Sequence, residues 1–65
     1  MKHLTPTERK ILRVFSTHDF SAGEVAEHLK CSKRTIDFHM SNIYGKLGVK
    51  TRSGAVAKAL KLQLV

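Results

Sequence analysis

The chain has 65 residues, a single cysteine and no tryptophan, which makes one small domain near the size at which an apolar core still suffices without staples. One cysteine excludes an internal disulfide, and four histidines at scattered spacings show no zinc-site pattern. Twelve Lys and Arg against five acids leave a net charge of +7, a positive field that favours nucleic acid or another anionic surface as partner.

The basic residues are spread along the chain, with no low-complexity tail, so the charge belongs to the folded body. No apolar run approaches the roughly 18 residues of a membrane span, and nothing resembles a signal peptide. A cytoplasmic location, no membrane partner and no cofactor are the expectations.

Met1 to Leu4 reads as a short lead. Thr5-Pro6-Thr7-Glu8 is then a complete helix start, with Thr at the N-cap, Pro at the first helical position and Glu three residues after the cap. The first helix, about residues 6–16, runs through Ile11, Leu12, Val14 and Phe15, with Glu8, Arg9, Lys10 and Arg13 largely outside. It should stop where Ser16-Thr17-His18-Asp19 breaks the pattern. Phe20 is placed to plug the core. Ser21-Ala22-Gly23-Glu24 is a second capping box, opening a short helix of about 22–30 that buries Val25, Ala26 and Leu29. Only Cys31 and Ser32 then precede the next helix, and Cys31 reads as a small apolar residue sealing the turn rather than a reactive or metal-binding thiol.

The third helix, about 33–47, organises the rest. Ser32 can cap its start. Ile36, Met40, Ile43 and Leu47 follow at steps of four, three and four, one face of a 3.6-residue helix. Turning 100° per residue puts Arg34, Phe38, Ser41, Asn42 and Gly45 on the opposite face, with Asp37 on its flank. A plain solvated face would carry Lys and Glu pairs; this one is read as touching a partner. Gly48 suits the left-handed position that ends many helices. A short helix, a tight connection and a longer helix with a patterned outer face make a helix-turn-helix, although the turn lacks the frequent glycine.

Thr51 offers another N-cap, and a fourth helix of about 52–62 follows. Ala55, Val56, Ala59 and Leu60 form one apolar stripe, with Leu62, Leu64 and Val65 adding to it near the end. Two readings of that stripe stand: self-association through Val56, Ala59 and Leu60, or core packing with a frayed terminus. The fold class expected is all-α, a compact four-helix helix-turn-helix domain covering residues 1–65.

The segments L-T-P-T-E-R-K-I-L at Leu4–Leu12, E-V-A-E-H-L at Glu24–Leu29 and S-K-R-T-I-D-F-H-M-S-N-I-Y-G-K-L-G-V at Ser32–Val49 resemble the LuxR/FixJ-type (GerE-like) DNA-binding domain. The resemblance spans Leu4 to about Leu60 and rests on L-T-x-x-E, T-I-x-x-H and N-I-x-x-K-L-x-V standing in order. It implies four helices, the third in the DNA major groove and the fourth often pairing two subunits. The family usually joins this domain to an N-terminal receiver or signal-binding domain, so the chain is expected to be an excised output domain or a stand-alone regulator. Two departures stand out. The first inter-helix loop lacks the glycine many members carry. Asp37 lies where a basic or amide residue is common, so it must contact a base donor, pair with Arg34 or Lys33, or point away from the phosphates.

Sequence-specific binding needs contacts that position and contacts that specify. Base reading falls to Asp37, Phe38 and Ser41, with Arg34 and Asn42 next. Asp37 can accept from a cytosine amino group, and Phe38 can pack on a thymine methyl. The other reading of Phe38 is an aromatic covering a neighbouring helix, and Asn42 is either an adenine contact or a structural one. Lys33, Arg34, Thr35, Lys46, Lys50, Thr51 and Arg52 are the phosphate candidates. The first three lie at a helix N-terminus, where free N–H groups also favour an anion. His39, beside the core face, reads as a packed histidine. No carboxylate–histidine–nucleophile set clusters, so the chain is not expected to be an enzyme. The leading function is a transcription regulator that binds duplex DNA as a dimer on a near-palindromic site, with RNA polymerase as a further candidate partner. The alternatives are a protein-interaction module that has lost DNA binding, argued from Asp37, and a region-4-like promoter-recognition piece of a sigma factor.

Overall fold

The computed structural model describes residues 3–63; Leu64 and Val65, assigned above to the apolar stripe, lie outside them. The chain forms four helices: α1 over Pro6–Thr17, α2 over Ala22–His28, α3 over Lys33–Leu47 and α4 over Arg52–Lys61. Among the described residues there is no strand, and no helix is long and apolar enough to cross a membrane. The architecture is the expected all-α helix-turn-helix.

Each helix begins where a side chain can satisfy its free N–H groups. Thr5 and Glu8 bond each other's backbone N–H at 3.1 and 2.9 Å, and Ser21 and Glu24 do the same at 3.2 and 2.9 Å, so both capping boxes are made. Ser32 and Thr51 accept from the N–H groups of Thr35 and Gly54. At the far end of α3, Gly48 takes φ 68° and ψ 35°, the left-handed geometry a glycine adopts without a steric penalty.

The helix ends depart from the sequence reading by small, explicable amounts. α1 runs on to Thr17, where the Ser16 and Thr17 hydroxyls both donate to the Arg13 carbonyl at 2.8 Å. α2 stops at His28, and residues 29–32 form the turn. Lys30 there takes φ 59°, filling the left-handed position that a glycine often holds, at a penalty of about 1–2 kcal/mol. α4 ends at Lys61.

α3 packs against all three other helices. Ile36, Met40, Ile43 and Leu47 face inward and are buried with Ile11, Leu12, Val14, Val25, Ala26, Ala55 and Ala59. Phe15, Phe20, Leu29, Tyr44, Val49 and Val56 pack against the edge of this core.

Four expectations are corrected. Leu4, read as part of a lead, is buried in the core. Glu8, read as outward, is 3% exposed, because the side chain that closes the α1 capping box turns toward α3. Cys31 is exposed and seals nothing; the early end of α2 swings the turn outward. Ala59, assigned to a pairing face, is fully buried with Ala55. Small side chains let α4 lie close against the core, which consumes the surface they would have offered.

Candidate nucleic-acid interface

The core takes one face of α3 and leaves the other bare. Arg34, Asp37, Phe38, Ser41, Asn42 and Gly45 are all exposed, and Phe38 stands 64% open. A phenylalanine left in water loses the burial free energy that normally places this residue, on the order of 1.5–3 kcal/mol. Its neighbour His39 is half-buried and meets the Phe38 ring edge-on, at 5.7 Å between centroids. The sequence-derived base-contact candidates therefore share one ridge about three turns long.

The ridge runs between two shallow clefts. One, of about 500 Å³, lies toward the start of α1 and is lined by Thr5, Glu8, Phe38, Asn42, Gly45 and Lys46 among others. The other, of about 330 Å³, lies toward α2 and α4 and includes Ala22, Asp37, Ser41, Tyr44 and Arg52. Tyr44 was absent from the sequence-derived site. It stands one residue after Ile43 in the helical pattern and reads there as a flank of the core, so only packing shows it in a cleft.

The phosphate-contact candidates at this surface fall into two groups. Lys33, Arg34, Thr35, Lys50, Thr51 and Arg52 are exposed. Lys33 Nζ sits 2.9 Å from Asp37 Oδ2, one turn along the same helix. The acid that departs from the family pattern is thus paired on its own helix, one of the outcomes expected from the sequence. Ser32 Oγ meets both the Thr35 N–H and the Thr35 hydroxyl, at 3.1 and 2.9 Å. The N–H groups of Lys33 and Arg34, the first two helical residues, have no partner four residues back and stay available to an anion. Arg52 lies 4.9 Å over the Phe15 ring, a cation–π contact that orients the guanidinium while leaving it in solvent.

Lys46 belongs to the second group. Its Nζ donates to Glu8 Oε1 at 2.6 Å, and the same oxygen accepts from the Thr5 N–H at 2.9 Å. The lysine side chain is only 23% exposed. Burial pushes the Glu8 carboxyl up, but the hydrogen bonds and charge from Lys46, together with the Thr5 backbone, outweigh it and hold the group below its ordinary value. This pair joins residues 38 apart and ties the end of α3 to the start of α1. Lys58 makes a second tie, its Nζ donating to the Leu47 carbonyl at 2.7 Å and closing one of the free carbonyls at the α3 terminus. The C-terminal end of α3 is therefore tied to α1 through Lys46 and to α4 through Lys58.

On α4, Val56 is half-buried, and Leu60 remains 54% exposed with Leu62 beside it. Of the expected pairing residues, Leu60 and part of Val56 have surface to offer. Among the described residues no group of three or more histidine, cysteine or carboxylate side chains could hold a metal ion.

A family model described as bacterial regulatory proteins, luxR family, matches residues 2–59. The chain is 39% identical over 59 residues to the spore germination protein GerE of Bacillus subtilis strain 168, covering 91% of this chain and 78% of that protein. It is 43% identical over 56 residues to the transcriptional activator protein BglJ of Escherichia coli strain K12, covering 86% of this chain but 24% of BglJ. The chain thus spans about a quarter of that relative's length. Among solved structures, the transcription factor GerE superposes with a TM-score of 0.84 at 36% identity, over 97% of this chain and 92% of that one. The response regulator ChrA of a heme-sensing two-component system superposes with a TM-score of 0.93 at 31% identity, over all of this chain and 32% of that one.

Proposed function

We propose, from the premise that the chain belongs to the luxR family of bacterial regulatory proteins and is the helix-turn-helix DNA-binding domain of a transcription regulator rather than an enzyme, that α3 enters the major groove of duplex DNA and reads its sequence. The observation that carries this is the ridge itself. A 64% exposed Phe38 stands with Arg34, Ser41 and Asn42 on a helix whose other face holds four core residues. Asp37 accepts from a cytosine amino group or keeps its ion pair with Lys33, and Phe38 packs on a thymine methyl. Lys33, Arg34, Thr35, Lys50, Thr51 and Arg52 bind phosphates on either side. Lys46 leaves the phosphate set, since its ammonium is committed to Glu8.

We read residues 1–65 as one such unit, working in the cytoplasm of a bacterium, with RNA polymerase as a further partner. Two copies meet through Leu60 and Val56 of α4 on a near-palindromic site, with half-sites about one helical turn apart. The exposed apolar surface is small, so association without DNA is weak. The Lys33–Asp37 pair removes the chief argument for a domain that has lost DNA binding, because the acid's charge is already balanced on the protein.

Selection of bound sequences from a random duplex pool tests the reading and yields the site. A near-palindromic consensus bound by two chains cooperatively is the expected result, with Leu60→Glu losing the cooperativity and keeping half-site affinity. Phe38→Ala should lower specific affinity by roughly 1–3 kcal/mol with the helix content unchanged. No enrichment from the pool, or a Phe38→Ala variant that unfolds, would sink it.

A further inference from the structure

Gly45 sits in the last turn of α3, two residues before its end, with nothing inside the protein that requires a glycine. Its backbone is ordinary helix: Gly48 is the sole glycine with positive φ among the described residues. Space does not require it either. A Cβ built at Gly45 would meet no atom within 4 Å, whereas one at Gly54 would come within 3.1 Å of Thr51 Oγ1 and 3.5 Å of Val49 Cβ. A glycine inside a helix destabilises it relative to alanine, because the unfolded backbone has more freedom to lose. Gly45 therefore weakens the helix on which the function rests, with no compensation inside the fold.

Its position supplies the compensation. Gly45 lies seven residues after Phe38, four after Ser41 and three after Asn42, so all four share one face. It is exposed and lines the same cleft of about 500 Å³ as Phe38, Asn42 and Lys46. Side chains along this face shorten toward the C-terminal end, from Arg34 and Phe38 through Ser41 and Asn42 to none at all. Lys46, immediately after it, is drawn back against Glu8, so no neighbouring side chain covers the gap.

We propose that Gly45 is a close-approach position of the DNA-binding face, an affinity determinant through its missing side chain, where the duplex comes within one side chain's depth of the α3 backbone. The proposal rests on the major-groove reading above. It adds that the ridge is contacted along its whole length, beyond the Arg34–Asn42 stretch that sequence reasoning assigned to the bases.

The test separates helix stability from binding, because the two move in opposite directions. In the full chain, Gly45→Ala should raise the melting temperature by about 2–8 °C. It should also weaken binding to the duplex recovered by selection by about tenfold, and Gly45→Leu on the order of a hundredfold, with helix content equal to or above that of the parent. Phe38→Ala is measured in parallel on the same duplex. Gly45 variants that bind as tightly as the parent, or more tightly in step with their stability, while Phe38→Ala loses affinity, would overturn the close approach and leave the major-groove reading intact. A parent chain that binds no duplex from the pool overturns both.

Discussion

The two ends of α3 each carry a lysine–carboxylate pair, and the pairs do different work. Lys33 and Asp37 stand one turn apart at the start of the helix, with side chains 64% and 55% exposed and 2.9 Å between charged atoms. Lys46, near its end, reaches Glu8 across 38 residues at 2.6 Å, with the carboxylate almost wholly buried. Water screens the first pair, and breaking it leaves two groups that solvent already hydrates. Breaking the second leaves a carboxylate out of water with only Thr5 to satisfy it. Equal chemistry at similar distance is a surface adjustment in one place and a structural tie in the other.

Substitutions in and around the two pairs sharpen that contrast, the largest effect first. Lys46→Ala should destabilise the chain by about 2–4 kcal/mol, read by thermal or denaturant unfolding. A loss below about 0.5 kcal/mol would put Lys46 back among the surface cations. The same variant should change the pH dependence. The Glu8 carboxyl is held below its ordinary value of 4.5 in the folded chain. Its contribution is therefore complete above the unfolded value and is lost as pH falls through the lower folded one. Without Lys46, burial acts on Glu8 against the Thr5 hydrogen bonds alone. The stability gap between parent and variant should widen as pH rises from about 4 to 7, and a constant gap would mean that the ion pair is not the cause.

Arg52→Ala addresses charge at the DNA. The guanidinium is oriented by Phe15 and exposed, so its loss should weaken specific and non-specific duplex alike and reduce the salt dependence by about one unit of slope. Lys46→Ala at a temperature where it remains folded should leave that slope unchanged. Equal slopes for both variants would erase the distinction between inward and outward cations. The smallest effect belongs to the first pair. Lys33→Ala should change stability by no more than about 0.5 kcal/mol, since the pair is exposed and lysine precedes the acid, the weaker order along a helix dipole. Asp37→Asn should likewise spare stability while altering base preference in the selection.

The legible part of this protein is the part that short-range chemistry controls. A cap is made between residues three apart, so Thr5, Ser21, Ser32 and Thr51 announce four helix starts without any knowledge of the fold. Helical periodicity separates the faces of α3, which placed Ile36, Met40, Ile43 and Leu47 inside and Phe38 outside before any packing was known. The ordered motifs between Leu4 and Val49 carried the family as well.

What remained depends on which surfaces the helices bring together. Ala59 and Leu60 are neighbours in one apolar stripe, yet the first is fully buried and the second 54% exposed. That division follows from how closely α4 lies against the core, and periodicity describes the stripe without saying what covers it. Glu8 reads as a capping residue on the outer side of α1, and its burial exists because the last turn of α3 passes over it. Lys46 reads as one more cation near DNA until that same crossing gives it a partner. An interaction between residues 38 apart leaves no periodic trace, because the separation is set by loop lengths and crossing geometry rather than by the helix repeat. The sequence by itself determined the helices, the exposed face of α3 and the family, while the tertiary structure alone decided which charges stay in solvent and which hold the fold.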